Sequence, residues 1–190
     1  MITRWIDEPL DYDGSQLRAH WILQTFGIVG DALVAFRGPC SVSGEEMADL
    51  EDLGGPGIAG SDMLHFLWER FDDAPLREAI LRQRLLTCVA ADVLRERGAP
   101  VPVRRDGDDL FLGEGKLSIS IATRSSVSTL LHFAVNISNE GTPVRTACLA
   151  ESGVEPVEFA GAILDRIARE EESMRLARAK VRAKGEAHRP

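Results

Sequence analysis

Lys116-Leu117-Ser118-Ile119-Ser120-Ile121-Ala122, followed after a short polar turn by Leu131-His132-Phe133-Ala134-Val135-Asn136-Ile137, carries most of what this chain says about its fold. Successive side chains of a strand point to opposite faces, so residues two apart share one. By that rule Leu117, Ile119 and Ile121 form an apolar side, with Lys116, Ser118, Ser120 and Ala122 opposite. In the second run Leu131, Phe133, Val135 and Ile137 are the apolar side, and His132, Ala134, Asn136 and Ser138 the other. Joined as a hairpin through Ser125-Ser126, the two runs present a floor of small and polar groups holding one ammonium, one imidazole and one amide. A sheet with one solvated face gives the same alternation. The scarcity of Thr, Glu and Lys on that face favours a ligand pocket.

Lys116 is unusual in its own right. The chain has nineteen arginines but three lysines, and the other two are Lys180 and Lys184. An ammonium is a compact, mobile charge with a tunable pKa, whereas guanidinium is a rigid fork that stays charged. Codon bias with one surviving surface lysine is the competing account.

Composition narrows the classes. A chain of 190 residues with 44% hydrophobic content can bury one core, and residues 1–190 are expected to form a single domain. The net charge is −8, and residues 41–73 alone hold nine acids against Arg70. No basic stripe suited to phosphates is present, which excludes a nucleic-acid partner. Neither a signal peptide nor a membrane span is legible, so a cytoplasmic location without membrane association is expected. Cys40, Cys88 and Cys148 are odd in number and lack a Cys-x-x-Cys, which indicates neither a disulfide framework nor a metal site.

Working outward, the spacing predicts helices over 15–26, 75–97 and 156–184, and strands over 31–36, 101–105, 110–112, 117–123 and 129–137. The middle helix should bury Leu81, Leu85, Cys88, Val89 and Val93, and the last one Phe159, Ile163 and Ile167 before a charged tail in which Glu171 meets Arg175. Arg37-Gly38-Pro39-Cys40 and the acidic, glycine-broken stretch after it read as a flexible, solvated lid. The fold class is α+β, a mixed, largely antiparallel sheet flanked by helices.

Asp106-Gly107-Asp108-Asp109-Leu110, Lys116-Leu117-Ser118-Ile119 and Phe133-Ala134-Val135-Asn136, in that order and spacing, resemble the core of the biotin protein ligases. Upstream, Asp13-Gly14-Ser15-Gln16 is similar to that family's helix start, and Gly30-Asp31-Ala32-Leu33-Val34-Ala35 to the strand before its glycine-rich loop. More closely, the whole chain resembles the prokaryotic domain of unknown function 366, placed in the biotin and lipoate protein ligase superfamily. The resemblance implies a fold and leaves the activity open.

It also implies roles. Lys116 matches the ligase lysine that reaches the substrate carboxyl and the adenylate phosphate, where one donor is worth about 3–4 kcal/mol in the transition state. Asp109 and Asn136 match the aspartate before that strand and the asparagine beyond it; turn capping and sheet hydrogen bonding would place the same residues there. Arg37 and Gly38 stand where the ligases fold a loop over the adenylate, Ser118 and Ser120 replace glycines of the floor, and His132 offers an acid, a base or a structural imidazole. As cofactors, ATP and Mg²⁺ follow only from the ligase reading, and the acids after Arg37 oppose a triphosphate unless Mg²⁺ intervenes. In the octanoyltransferase branch a cysteine works with the lysine. Thr146-Ala147-Cys148 is similar to that context, so Cys148 is either a nucleophile or a small buried residue. The expected partner is a small carboxylic acid or an acyl-carrier ligand, with a homodimer through an exposed strand edge. A binding protein that keeps the pocket and lacks the adenylate loop is the alternative to both enzymes.

Overall fold

A computed structural model describes residues 1–55, 57–182 and 184; Pro56, in the glycine-rich stretch, and Ala183 and 185–190, in the charged tail, lie outside the described residues. Among the described residues there are eight strands and three α-helices of at least six residues. Strands β1 (Ile2–Trp5), β2 (Ala32–Val42), β3 (Ile58–Arg70), β7 (Ser118–Arg124) and β8 (Thr129–Asn136) form a five-stranded sheet in the order β1-β2-β3-β8-β7. Only β1 and β2 run parallel, so the fold is α+β with a mostly antiparallel sheet, as the alternation predicts. A smaller sheet of β4 (Val103–Asp106), β5 (Asp109–Leu112) and β6 (Gly115–Lys116) lies beside β7.

One face of the large sheet is covered by α2 (Leu76–Glu96) and α4 (Pro156–Lys180), packed together over Leu33, Phe66, Trp68, Phe133 and Val135. The other face is covered by the N-terminal segment and the short α1 (Trp21–Phe26), with Tyr12, Trp21 and Ile22 over Val34, Phe36, Leu67 and Ala134. The predicted face of α4 is present: Phe159, Ile163 and Ile167 are all buried. Its charged half pairs differently, Arg175 with Glu172, while Glu171 reaches Arg70.

Four expectations are corrected. The stretch read as part of a lid contains β3, the central strand, whose residues Met63–Trp68 are buried on both faces. A strand covered on both sides loses its period of two, so alternation cannot reveal it, and the acids at its ends disguised it further. Strand β2 continues through Arg37-Gly38-Pro39-Cys40 with an irregularity between Gly38 and Cys40, and residues 15–20 form turns instead of a helix. In α2 the buried face is Leu86, Val89, Ala90, Val93 and Leu94 with the polar Gln83 and Thr87, while Leu81 is 58% exposed. Gln83 and Thr87 are tolerated inside because each finds a hydrogen-bond partner there.

Gly38 is fixed by packing. A Cβ at that position would lie 2.0 Å from the carbonyl oxygen of Leu10, whose own amide donates to Arg37 O at 3.0 Å. Both contacts are backbone, so neither side can yield cheaply. Gly38→Ala is expected to destabilise the protein by about 3 kcal/mol, at the upper end of overpacking costs, as a lowered midpoint in urea unfolding.

Candidate functional site

A cavity of about 430 Å³ opens on the face of the sheet away from α2 and α4. That volume suits a small ligand. Its floor is the β7–β8 pair, and the register there corrects the sequence reading. Ser118 pairs with Val135, Ser120 with Phe133, Ile119 with Ala134 and Ile121 with His132. Directly paired residues share a face, so Ile119 and Ile121 lie with His132, Ala134 and Asn136 on the cavity side. Ser118 and Ser120 border the cavity along the open edge of β7 but turn their hydroxyls to the helix side. There Ser118 Oγ accepts from the Leu110 amide at 2.9 Å, and Ser120 Oγ donates to Asp108 at 2.9 Å and accepts from Gln83 at 2.8 Å. A slip of one residue exchanges the faces of a strand, and two serines and two isoleucines alternating give no sign of which way it goes.

Lys116 reaches the cavity from β6. Its Nζ lies 2.9 Å from Asp109 Oδ2, and both side chains are about one-third exposed. Phe111, which pairs with Lys116, shares a side of β5 with Asp109 and is covered by the guanidinium of Arg104. Asn136 Nδ2 donates to Ala147 O at 3.1 Å and Lys116 O at 3.4 Å, tying β8 to β6 and to the 146–148 segment. Gly115 permits that join: a Cβ there would stand 2.8 Å from Ala147. Asn136 thus holds the lysine's backbone in place, which is the sheet hydrogen bonding the sequence left open.

Arg37 and Gly38 do not line the cavity. Arg37 shares its face with Leu64, on the helix side, and forms a bidentate pair with Asp62, Nε to Oδ1 at 2.7 Å and Nη2 to Oδ2 at 2.5 Å. Gly38 is on the cavity face but covered by Leu10. Cys148 also lies outside the lining. It is buried at the start of the short turn Leu149–Ser152 (α3), with Sγ 3.8 Å from Glu151 Oε1. Burial, with the Glu151 carboxylate beside it, pushes the thiol up, the opposite of what thiolate attack needs. Cys40 is likewise buried and pushed up to about 12 by desolvation.

The structure adds residues the sequence reading passed over. Tyr12, the chain's single tyrosine, stacks on His132 at 3.8 Å between ring centroids. His65 on β3 meets His132, Nδ1 to Nε2 at 3.1 Å, and its Nε2 lies 3.2 Å from Gly38 O. The rareness of Tyr was a visible signal; His65 was hidden in the unbroken apolar run of β3. Desolvation lowers both imidazoles, His65 from 6.5 to about 4, and His132 further depressed by His65. Apart from Lys116, the charged groups of the lining are acidic: Glu46, Asp49 and Asp52 from the 43–57 loop, with Asp108 and Asp109. Asp108 is engaged by Arg84 and Gln83.

The histidines give stability a pH dependence. Between about 6.5 and 4 the unfolded chain protonates His65 while the folded chain does not, so the unfolded state binds more protons and stability must fall as pH falls. The expected loss from His65 at pH 5 relative to pH 7.5 is about 2 kcal/mol, from its shift alone. Urea unfolding at the two pH values measures it, and the loss should shrink in a His65→Phe variant.

Comparisons with known proteins agree with this architecture. A protein of unknown function from Pyrococcus horikoshi superposes with a TM-score of 0.89 at 38% identity, over 95% of this chain and 98% of that one. The biotin protein ligase from Aquifex aeolicus in complex with biotin and ATP gives 0.57 at 16% identity, covering 88% and 68%. LipL1 of P. falciparum in complex with lipoate gives 0.57 at 13%, covering 91% and 62%. These two likenesses show a shared fold. An uncharacterized protein of Methanocaldococcus jannaschii is 33% identical over 160 residues, 81% of this chain and 72% of the relative. With its residues 1–182 matched, the chain belongs to the family described as Domain of unknown function (DUF366).

Proposed function

We propose that this protein binds a small carboxylic acid in the cavity, with the Lys116 ammonium as anchor of the carboxylate and Asp109 as the group that orients it. The observation that carries the reading is the lining itself: a ligand-sized cavity in which Lys116 is the one cation among the described lining residues. Ile119, Ile121 and Met63 supply apolar wall for the body of the acid. An ammonium held at a cavity mouth by a single carboxylate keeps two further donors free for a ligand.

A nucleoside triphosphate fits this lining poorly. Glu46, Asp49 and Asp52 stand on the loop that would cover it, Arg37 is committed to Asp62 on the other face, and like charges at this range repel. Thioester exchange through Cys148 lacks support for the reasons of burial and charge given above. Acid binding without adenylation is therefore the preferred reading.

Calorimetric titration with biotin, lipoate and octanoate, each with and without Mg²⁺-ATP, tests it. Saturable one-to-one binding of an acid in the absence of nucleotide is expected, with no pyrophosphate released when Mg²⁺-ATP is added. Binding that appears only with Mg²⁺-ATP, accompanied by pyrophosphate, would replace this reading with carboxylate adenylation.

A further inference from the structure

The two buried histidines form a directional relay whose end faces the cavity. Gly38 O is a carbonyl and can only accept, so His65 Nε2, 3.2 Å away, must carry a hydrogen. A neutral imidazole has one N–H, which leaves His65 Nδ1 as a bare acceptor. His132 Nε2, 3.1 Å from it, must then donate, and His132 Nδ1 is left bare in turn. Both rings are neutral near pH 7 because desolvation opposes their protonation.

His132 is 3% exposed and lines the cavity. Its Nδ1 has no hydrogen-bond partner among the described residues, and the residue borders the cavity. The Tyr12 ring covers one face of the imidazole, and Ile121 is its direct cross-strand neighbour. The tyrosine hydroxyl is held neutral by burial, so no phenolate competes for the same ligand group.

We infer that His132 Nδ1 is an obligate acceptor in the floor of the cavity, and that the natural ligand places an N–H or O–H donor against it, as a urea, lactam, amide or alcohol does. The inference deepens the acid-binding reading, on which it rests for the ligand's other end at Lys116. It excludes ligands whose buried end is purely hydrocarbon: a methylene at this point would cover the lone pair without satisfying it, and a buried acceptor left unpaired is costly. His65 acts as a positioning residue, because it fixes which nitrogen of His132 is bare.

The test uses the full chain labelled with ¹⁵N-histidine. Long-range ¹H–¹⁵N spectra at pH 7 are expected to show both rings as the Nε2–H tautomer, with His132 Nδ1 unprotonated. Titration then compares 2-imidazolidinone with cyclopentanone, which has the same ring size and carbonyl but two methylenes in place of the two N–H groups. The urea should shift the His132 Nδ1 resonance saturably, at least about tenfold tighter than the ketone. In His65→Phe the relay is gone, both His132 tautomers should appear, and the preference should collapse. A protonated His132 Nδ1, equal shifts from the two probes, or no shift from either would overturn the inference. Because neither probe carries a carboxylate, these results are independent of Lys116. Failure of the acid titrations would leave them unchanged, so the two readings fail separately. Should His65→Phe not fold, the wild-type spectra and probe pair decide alone.

Discussion

Replacing Phe133 with alanine is expected to cost about 3–5 kcal/mol, enough to remove much of the stability of a protein this size. Phe133 is fully buried on β8, pairs directly with Phe66 of β3 and Ser120 of β7, and meets the Phe66 ring at 5.9 Å between centroids. It belongs to the cluster that joins the sheet to α2 and α4. Backbone hydrogen bonding holds β8 between its two neighbours, so the surrounding elements can close only part of the space, and both lost transfer free energy and residual void contribute. Urea unfolding followed by circular dichroism measures the loss. Phe133→Leu, which keeps most of the volume, should cost less than half as much. Equal costs for the two would mean that ring shape, and not the void, sets the energy.

Lys116→Met is expected to weaken binding of the cavity's acid about 10- to 100-fold while leaving unfolding almost unchanged. The stem of the side chain survives, so packing beside Phe111 is largely kept; only the ammonium is lost. Its partner Asp109, now uncompensated 2.9 Å from where Nζ stood, would face the incoming carboxylate and repel it. Calorimetry on Lys116→Met and on Lys116→Met with Asp109→Asn separates the contributions. Partial recovery in the double variant is expected if Asp109 repels. An unchanged affinity in the single variant would remove Lys116 from the site and with it the proposed function.

Part of the candidate site's lining was legible because its chemistry is rare in this chain. Lys116 stands alone for 179 residues as a lysine, and it lines the cavity beside Asp109, which the sequence had placed near it. Asn136 and His132 also reach the cavity, on the strand and the face expected of them. Ser118 and Ser120 were assigned to the wrong face because the apolar alternation of β7 can be satisfied either way. The isoleucines are half-buried against the cavity, and the serines satisfy Asp108, Gln83 and the Leu110 amide on the other side. Arg37 and Gly38 were misplaced for a different reason. An arginine-glycine pair after a strand reads as a loop, yet here Gly38 exists to let Leu10 approach, and Arg37 is turned away by strand parity.

The class of fold, the hairpin of β7 and β8, the apolar start of α4 and the singular place of Lys116 are legible from residue order alone, because each rests on local periodicity or on composition. Tertiary structure alone decided the rest. Strand β3 has no visible period since both its faces are covered, and the face that β7 shows to the cavity is set by its register with β8. The His65–His132 relay joins residues 67 positions apart on neighbouring strands, and its direction comes from the carbonyl of Gly38 on a third. A hydrogen bond's polarity is a property of the partners that surround it, and those partners meet only when the sheet is assembled.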